Sequence, residues 1–304
     1  MWKLAASSSS QEIQSLQLEN HQLRSQLELL YEWLSSEKYF KEQKETFGEG
    51  VPKEKRSKEI KDLLQQEAKA LFGRIIYRDP SAWSSSVWIN IGEENNISYG
   101  QTIVAKNSPV VSGACLVGVV EYVGKQESRV RLITDSGLKT AVRAVRGSIQ
   151  ERETVALIHQ LKERLQKHPE WKNDSALENL RKLEAKIPIG WKDTYLAKGE
   201  VHGSSSPYFR TLKSHLKGIG FNCEFPDEEG PMRDLRTGAI IQEGDLLLTS
   251  GLDGVFPPGL KVAVVNRIEP LREGAFSYEL EATPAAGNLS DISSVFVLPP
   301  VSQE

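Results

Sequence analysis

The spacing of apolar residues changes along the chain, and each change predicts a new kind of element. Near the front, Ile13, Leu16, Asn20, Leu23, Leu27, Leu30 and Leu34 fall at alternating three- and four-residue steps. Read as heptads, Ile13, Asn20, Leu27 and Leu34 take a positions, and Leu16, Leu23 and Leu30 take d positions. A period of 3.5 keeps one seam facing a second helix, so this stretch predicts a parallel coiled-coil homodimer about 33 Å long. Asn20 is the informative residue, because a lone Asn at an a position pairs with its copy across the seam and fixes register at a cost in stability. Glu19 (g) and Arg24 (e) offer an attractive interchain pair. The alternative is a single amphipathic helix packed on its own domain. The heptads stop near Ser35-Ser36, and Phe47-Gly48-Glu49-Gly50-Val51-Pro52 reads as a break. Glu54 to Phe72 then predicts a second helix with Ile60, Leu63, Leu64, Ala68 and Leu71 on one face.

From Arg74 the period becomes two. Ser86 to Ile91, Arg129 to Leu132 and Tyr278 to Ala282 alternate strictly. Thr102 to Ala105, Leu116 to Val123, Thr140 to Val145, Asp245 to Thr249, Lys261 to Ile268 and Ser294 to Leu298 are rich in β-formers. Short strands at this spacing predict antiparallel barrels or sandwiches. The strand–helix alternation of a parallel nucleotide-binding sheet is missing. Two helices interrupt the strands. Ile149 to Lys167 carries Val155, Ile158, Leu161 and Leu165, and ends at His168-Pro169. Ser175-Ala176-Leu177-Glu178 has the form of a capping box and opens a helix with Leu177, Leu180, Leu183 and Ile187. Together they read as an inserted helical hairpin. A further short helix is expected from Ser206-Pro207, burying Phe209, Leu212 and Leu216 and ending near Gly218-Ile219-Gly220.

Composition narrows the function. The 304 residues suggest about two domains, and 39% hydrophobic content supports a real core. With 38 basic against 41 acidic residues, net −3, the chain lacks the basic excess of a general nucleic-acid binder. Cys115 and Cys223 are too few for a disulfide scaffold or a Cys-based zinc ribbon; one bridge or two free thiols both stay open. No apolar run is long enough for a signal peptide or a membrane helix, so the sequence as written reads as soluble and holds no membrane anchor.

Candidate chemistry is thin. Asp135-Ser136-Gly137 resembles the active-site turn of aspartic proteases, and a homodimer would supply the second carboxylate that this chemistry needs. The same tripeptide is an ordinary turn between strands, and Leu138 follows where a small residue is usual. His202-Gly203-Ser204-Ser205-Ser206 sets a base beside nucleophiles, but without a nucleophile elbow it reads as a polar loop. Gly118 to Gly124-Lys125 misses the phosphate-loop spacing and has Gln126 where Ser or Thr would bind magnesium. His21, His159, His168, His202 and His215 are scattered without metal-ligand spacing, so no metal or other cofactor is expected. Trp83, Trp88, Trp171 and Trp191 read as core or boundary residues.

Several segments carry a resemblance in order: Arg78-Asp79-Pro80-Ser81-Ala82-Trp83, then Val87 to Gly92, Leu116 to Val120 and Ser128 to Asp135. The most specific block is Gly244 to Leu260, followed by a tail from Thr283-Pro284 to Leu298. These segments, behind a coiled coil, resemble the MreC family of bacterial rod-shape-determining proteins. Family members usually begin with a cytoplasmic piece and one membrane helix, which this sequence lacks. The Gln150 to Lys198 stretch looks like an insertion. The resemblance implies a mainly β fold with an α-helical N-terminus, in which a coiled-coil stalk leads to two small antiparallel β-barrel subdomains. The expected division is a helical region over 1–72 with a break near 47–53, a first β subdomain over 73–148, a helical hairpin over 149–198, and a second β subdomain with one short helix over 199–304.

Within the Gly244–Leu260 block, Gly251, Asp253, Gly254, Phe256, Pro257 and Gly259 predict a turn-rich loop. It either shapes the fold only or also meets a partner. The heptads and the missing catalytic constellation point to a non-catalytic scaffold that dimerises through Ile13 to Leu34. The resemblance implies its setting, the periplasmic face of the inner membrane in the cell-wall elongation complex. There it would organise or activate peptidoglycan synthases to maintain cell shape. Implied partners are the elongation penicillin-binding protein, RodA, MreD and, indirectly, MreB, and self-association into filaments is a further implication. No nucleic acid or small-molecule substrate is expected. The alternatives are a dimeric aspartic-protease-like hydrolase using Asp135, and a generic coiled-coil structural or adhesion protein.

Overall fold

The computed structural model describes residues 54–167, 174–187, 194–204, 215–222, 241–270 and 277–301, together with Leu23, Gln26 and Leu30. Helix α1 (Glu54–Glu67) leads into β1 (Leu71–Tyr77), β2 (Ser86–Ile89), the short α2 (Glu93–Tyr99), β3 (Pro109–Ser112), β4 (Cys115–Val123), β5 (Ser128–Leu132) and β6 (Lys139–Arg146). A hairpin of α3 (Ser148–Lys167) and α4 (Asp174–Lys186) follows. Then come β7 (Thr194–Gly203), β8 (Leu216–Asn222), β9 (Leu246–Thr249), β10 (Lys261–Ile268), β11 (Ser277–Pro284) and β12 (Ser294–Val297).

These strands close into two antiparallel barrels of six. In the first, β4-β3-β12-β1-β2-β5 returns to β4; in the second, β10-β9-β6-β7-β8-β11 returns to β10. One parallel contact, Lys261 of β10 opposite Cys115 of β4, joins them. The mainly β fold with barrel subdomains is therefore what the chain adopts. Alternation drives it: Val87, Ile89, Val130 and Leu132 point inward and are buried, while Trp88, Arg129 and Arg131 between them are more accessible. Close packing explains Gly118 on β4. A Cβ there would lie 2.1 Å from the Arg131 carbonyl oxygen of β5.

Pairing, not chain order, groups the strands into the two barrels. Strand β6 belongs to the second barrel, and β12 returns to complete the first. The Arg78–Trp83 segment holds that return in place. The Arg78 guanidinium donates to the carbonyls of Trp83 (3.0 Å) and Leu289 (2.8 Å) and lies over the Trp83 ring, while Trp83 Nε1 donates to Ser290 Oγ at 3.2 Å. Arg78 and Trp83 thus tie the segment just before β12 to the loop after β1.

Other expectations also shift. Helix α1 stops at Glu67, and Leu71 and Phe72 open β1. Thr102 to Ala105 is not a strand, because the Asn96 side chain takes its backbone: Oδ1 accepts from the amides of Ile103 and Val104, and Nδ2 donates to the Val104 carbonyl. The helix expected to end at 218–220 meets a strand instead. Leu216 starts β8, opposite Gly203 and Ala282, and the rest of that expectation, 206–214, lies outside the described residues. Strand β7 takes the end of the expected insertion, 194–198, and pairs with β6.

The hairpin helices lie where expected, linking those two paired strands. Ile158 is buried, but Leu161 and Leu183 are exposed and so leave the packed face. Glu184 accepts from the Lys162 ammonium, whose hydrogen bond holds its carboxyl below the usual range, and lies 2.9 Å from His159 Nε2. Leu23, Gln26 and Leu30 are helical, and both leucines are exposed in the single chain. Ile13, Leu16, Asn20, Leu27 and Leu34 lie outside the described residues, as does Cys223.

Candidate functional site

The Gly251–Gly259 loop connects β9 to β10 and is built from the inside. Asp253 organises it. Its Oδ1 accepts from the amides of Val255 and Phe256, each at 3.0 Å, and its Oδ2 accepts from the Ala141 amide of β6 at 3.0 Å. The fully buried Thr249 hydroxyl donates to the Pro257 carbonyl at 2.5 Å and accepts from the Leu260 amide at 2.9 Å. Phe256 is buried at 1% exposure, among the core residues shared by the barrels. Gly251, Gly254 and Gly259 have φ of 77°, 66° and 103°, which L side chains rarely adopt. Leu252, 69% exposed, is the apolar tip that the loop offers to solvent.

Helix α1 rests on this loop. Ile60, Leu63 and Glu67, at i, i+3 and i+7, form its buried stripe. A Cβ on Gly259 would lie 3.6 Å from Leu63 Cδ2. Glu59 pairs with Arg143 of β6 at 2.8 Å, and both side chains are largely shielded. Glu67 is the anomaly. It is 3% exposed, neither carboxyl oxygen has a hydrogen-bond partner, and burial pushes its pKa up to about 7. Sequence reading placed Ala68 on this face and missed Glu67; Ala68 is exposed. The signal was its place on the same helical stripe as Ile60 and Leu63.

The outer face of the first barrel holds a cross-strand row. Tyr77 of β1 is opposite Trp88 of β2, Trp88 is opposite Arg129 of β5, and Arg129 is opposite Tyr122 of β4. Tyr77 and Tyr122 are more than half exposed. Trp88 and Tyr122 meet edge to face with centroids 6.2 Å apart. Glu121 pairs with Arg131 and lies 3.5 Å from Arg129 Nε. Beside the row, between α2 and β4, runs an open cleft of about 760 Å³ lined by Asn96, Ile97, Val104, Lys106 and Tyr122 among others. Of these, Ile97 and Tyr122 are exposed apolar or aromatic side chains. This surface can bind by contact and offers no nucleophile–base pair.

The remaining sequence candidates do not converge. Asp135 Oδ1 accepts from the Gly137 amide at 2.8 Å, closing the turn between β5 and β6. His202 lies on β7, its Nδ1 3.1 Å from the Gly203 carbonyl. Gly124 and Lys125 present carbonyls to the amides of Glu93 and Glu94, which is the wrong polarity for a phosphate. Among the described residues, no group of His, Cys, Asp or Glu could hold a metal ion, and no helix is long and apolar enough to cross a membrane.

Comparisons with known proteins bear on this architecture. A family model, rod shape-determining protein MreC, barrel core, matches residues 75–189 and 206–299. No curated protein matches the sequence significantly. Among solved structures the chain is similar to MreC of Lysteria monocytogenes at 16% identity, with 82% of this chain and 91% of that one covered and a TM-score of 0.48. It is similar to MreC of Pseudomonas aeruginosa at 19% identity, with 75% and 97% covered and a TM-score of 0.44. A third similar chain comes from a complex between penicillin-binding protein PBP2 and MreC of Helicobacter pylori, at 15% identity, with 77% and 99% covered and a TM-score of 0.40.

Proposed function

The chain belongs to the MreC family, and from that premise we propose that it is a non-catalytic scaffold of bacterial cell-wall elongation. Two copies join in parallel through the Ile13–Leu34 heptads. Their barrel heads hold and activate peptidoglycan synthases at the periplasmic face of the inner membrane. The elongation penicillin-binding protein is the partner to offer first, the Helicobacter pylori MreC having been seen with PBP2. RodA and MreD belong to the same setting, and MreB connects indirectly.

The observation that carries this reading is the Tyr77–Trp88–Arg129–Tyr122 row. Both barrels are closed, so among the described residues no edge strand is free for strand addition. Partners must be met through side chains. Tyr, Trp and Arg are the residues that dominate binding energy at protein interfaces. Leu252 in the family loop is a second contact point.

Capture of the elongation transpeptidase from solubilised membranes tests the reading. The unmutated chain should retain it, and Tyr77→Ala with Tyr122→Ala should lose it with the head still folded. Retention by the double variant would remove the row from the contact. A failure of the unmutated chain to capture any would remove the scaffold itself.

A further inference from the structure

We propose that the seating of α1 on the barrel head is proton-linked: the helix docks most firmly with the Glu67 carboxyl neutral and less firmly once that carboxyl ionises. Every part of the geometry bears on this. The buried stripe of α1 has two apolar members, Ile60 and Leu63, and Glu67 holds the third place. Both of its oxygens are buried without a hydrogen-bond partner. A buried carboxylate in that condition is strongly disfavoured, whereas the protonated acid costs far less.

The surrounding charges do not rescue it. On α1, Glu59 is engaged with Arg143, and Lys61 and Asp62 are exposed, as is Lys69 just beyond. Arg143 of β6 faces the helix, where its Nη2 pairs with Glu59 at 2.8 Å, and no hydrogen bond joins it to the Glu67 carboxyl. In the loop beneath, Asp253 is taken by three amides. Burial is the cause that raises the Glu67 pKa to about 7.

The sign follows. Below the ordinary value of 4.5 the carboxyl is protonated whether the helix is seated or lifted, and seating is at full strength. Between 4.5 and about 7 only the lifted state ionises, so seating weakens by up to tenfold per pH unit. Above about 7 both states are ionised and the loss levels off, on the order of 300-fold in all. Because α1 lies in sequence between the heptads and β1, the device sets how firmly the segment before β1 is held on the head. It holds whichever protein the head binds.

Hydrogen exchange of the α1 amides in the full chain, corrected for intrinsic rates, reads the opening equilibrium directly. Between pH 5 and 7.5 opening should increase by on the order of 100-fold and then level off. Glu67→Gln should be protected and flat over the same range. A flat profile in the unmutated chain, or an equal slope in the variant, overturns the proposal. Should the variant fail to fold, carbon-13 titration of the Glu67 carboxyl in the unmutated chain decides: a midpoint near 7 supports it, and one near 4.5 overturns it.

Discussion

The Gly251–Gly259 loop and helix α1 meet at Gly259 and Leu63, yet each treats a carboxyl group in the opposite way. Asp253 is given three backbone amides and draws Val255, Phe256 and β6 together. Glu67 is given none and sits on a greasy stripe. A satisfied carboxylate is a permanent brace. An unsatisfied one makes its contact conditional on protonation. The loop is thus the fixed part of the junction, and the helix is the part whose hold can be changed.

Substitutions can break that contrast in order of size. Phe256→Ala should cost the most, about 3–5 kcal/mol in urea denaturation, since it empties a buried site under the brace. A loss below about 1 kcal/mol would mean that the loop is not anchored by its core residue. Asp253→Ala should cost about 2–3 kcal/mol, because three amides lose their acceptor. Glu67→Leu should act in the other direction. At pH 8 it should add about 2–3 kcal/mol to α1 docking, and at pH 4 almost nothing, as seen by the pH dependence of hydrogen exchange. Equal effects at both pH values would erase the distinction between brace and switch. Leu252→Ser should leave the unfolding free energy almost unchanged, within about 0.5 kcal/mol in urea denaturation, and weaken only partner capture.

The strand pattern was legible where alternation is undiluted. Lys261 to Ile268 reads as β10 from its Val and Ile spacing and folds over that same span. Strands β7 and β8 were not legible, because Gly199, Gly203, Gly218 and Gly220 thin the alternation. Their value is visible only in three dimensions: a Cβ on Gly218 would lie 2.5 Å from Leu280 Cδ1. The run at Thr102 to Ala105 misled because one remote side chain, Asn96, outcompetes a neighbouring strand for its amides. The return of β12 to the first barrel depends on contacts of Arg78 and Trp83 more than 200 positions away, beyond the reach of local pattern. At the site, the turn-forming glycines of the loop were readable. Glu67 was not, since a charged residue in a charged helix reads as solvated until the buried stripe is seen to pass through it. The aromatic row needed strand register, which sequence alone does not supply.

The scaffold account depends most on two copies being held together by their front heptads. Leu23 and Leu30 are helical and exposed in the single chain, as an unmet seam would be. Sedimentation equilibrium of the full chain at micromolar concentration is the direct measurement, repeated with Leu23→Lys and Leu30→Lys together. The account predicts a dimer that becomes a monomer in the variant, with the melting of the barrels unchanged. A monomeric unmutated chain, or a dimer indifferent to the two lysines, would contradict it.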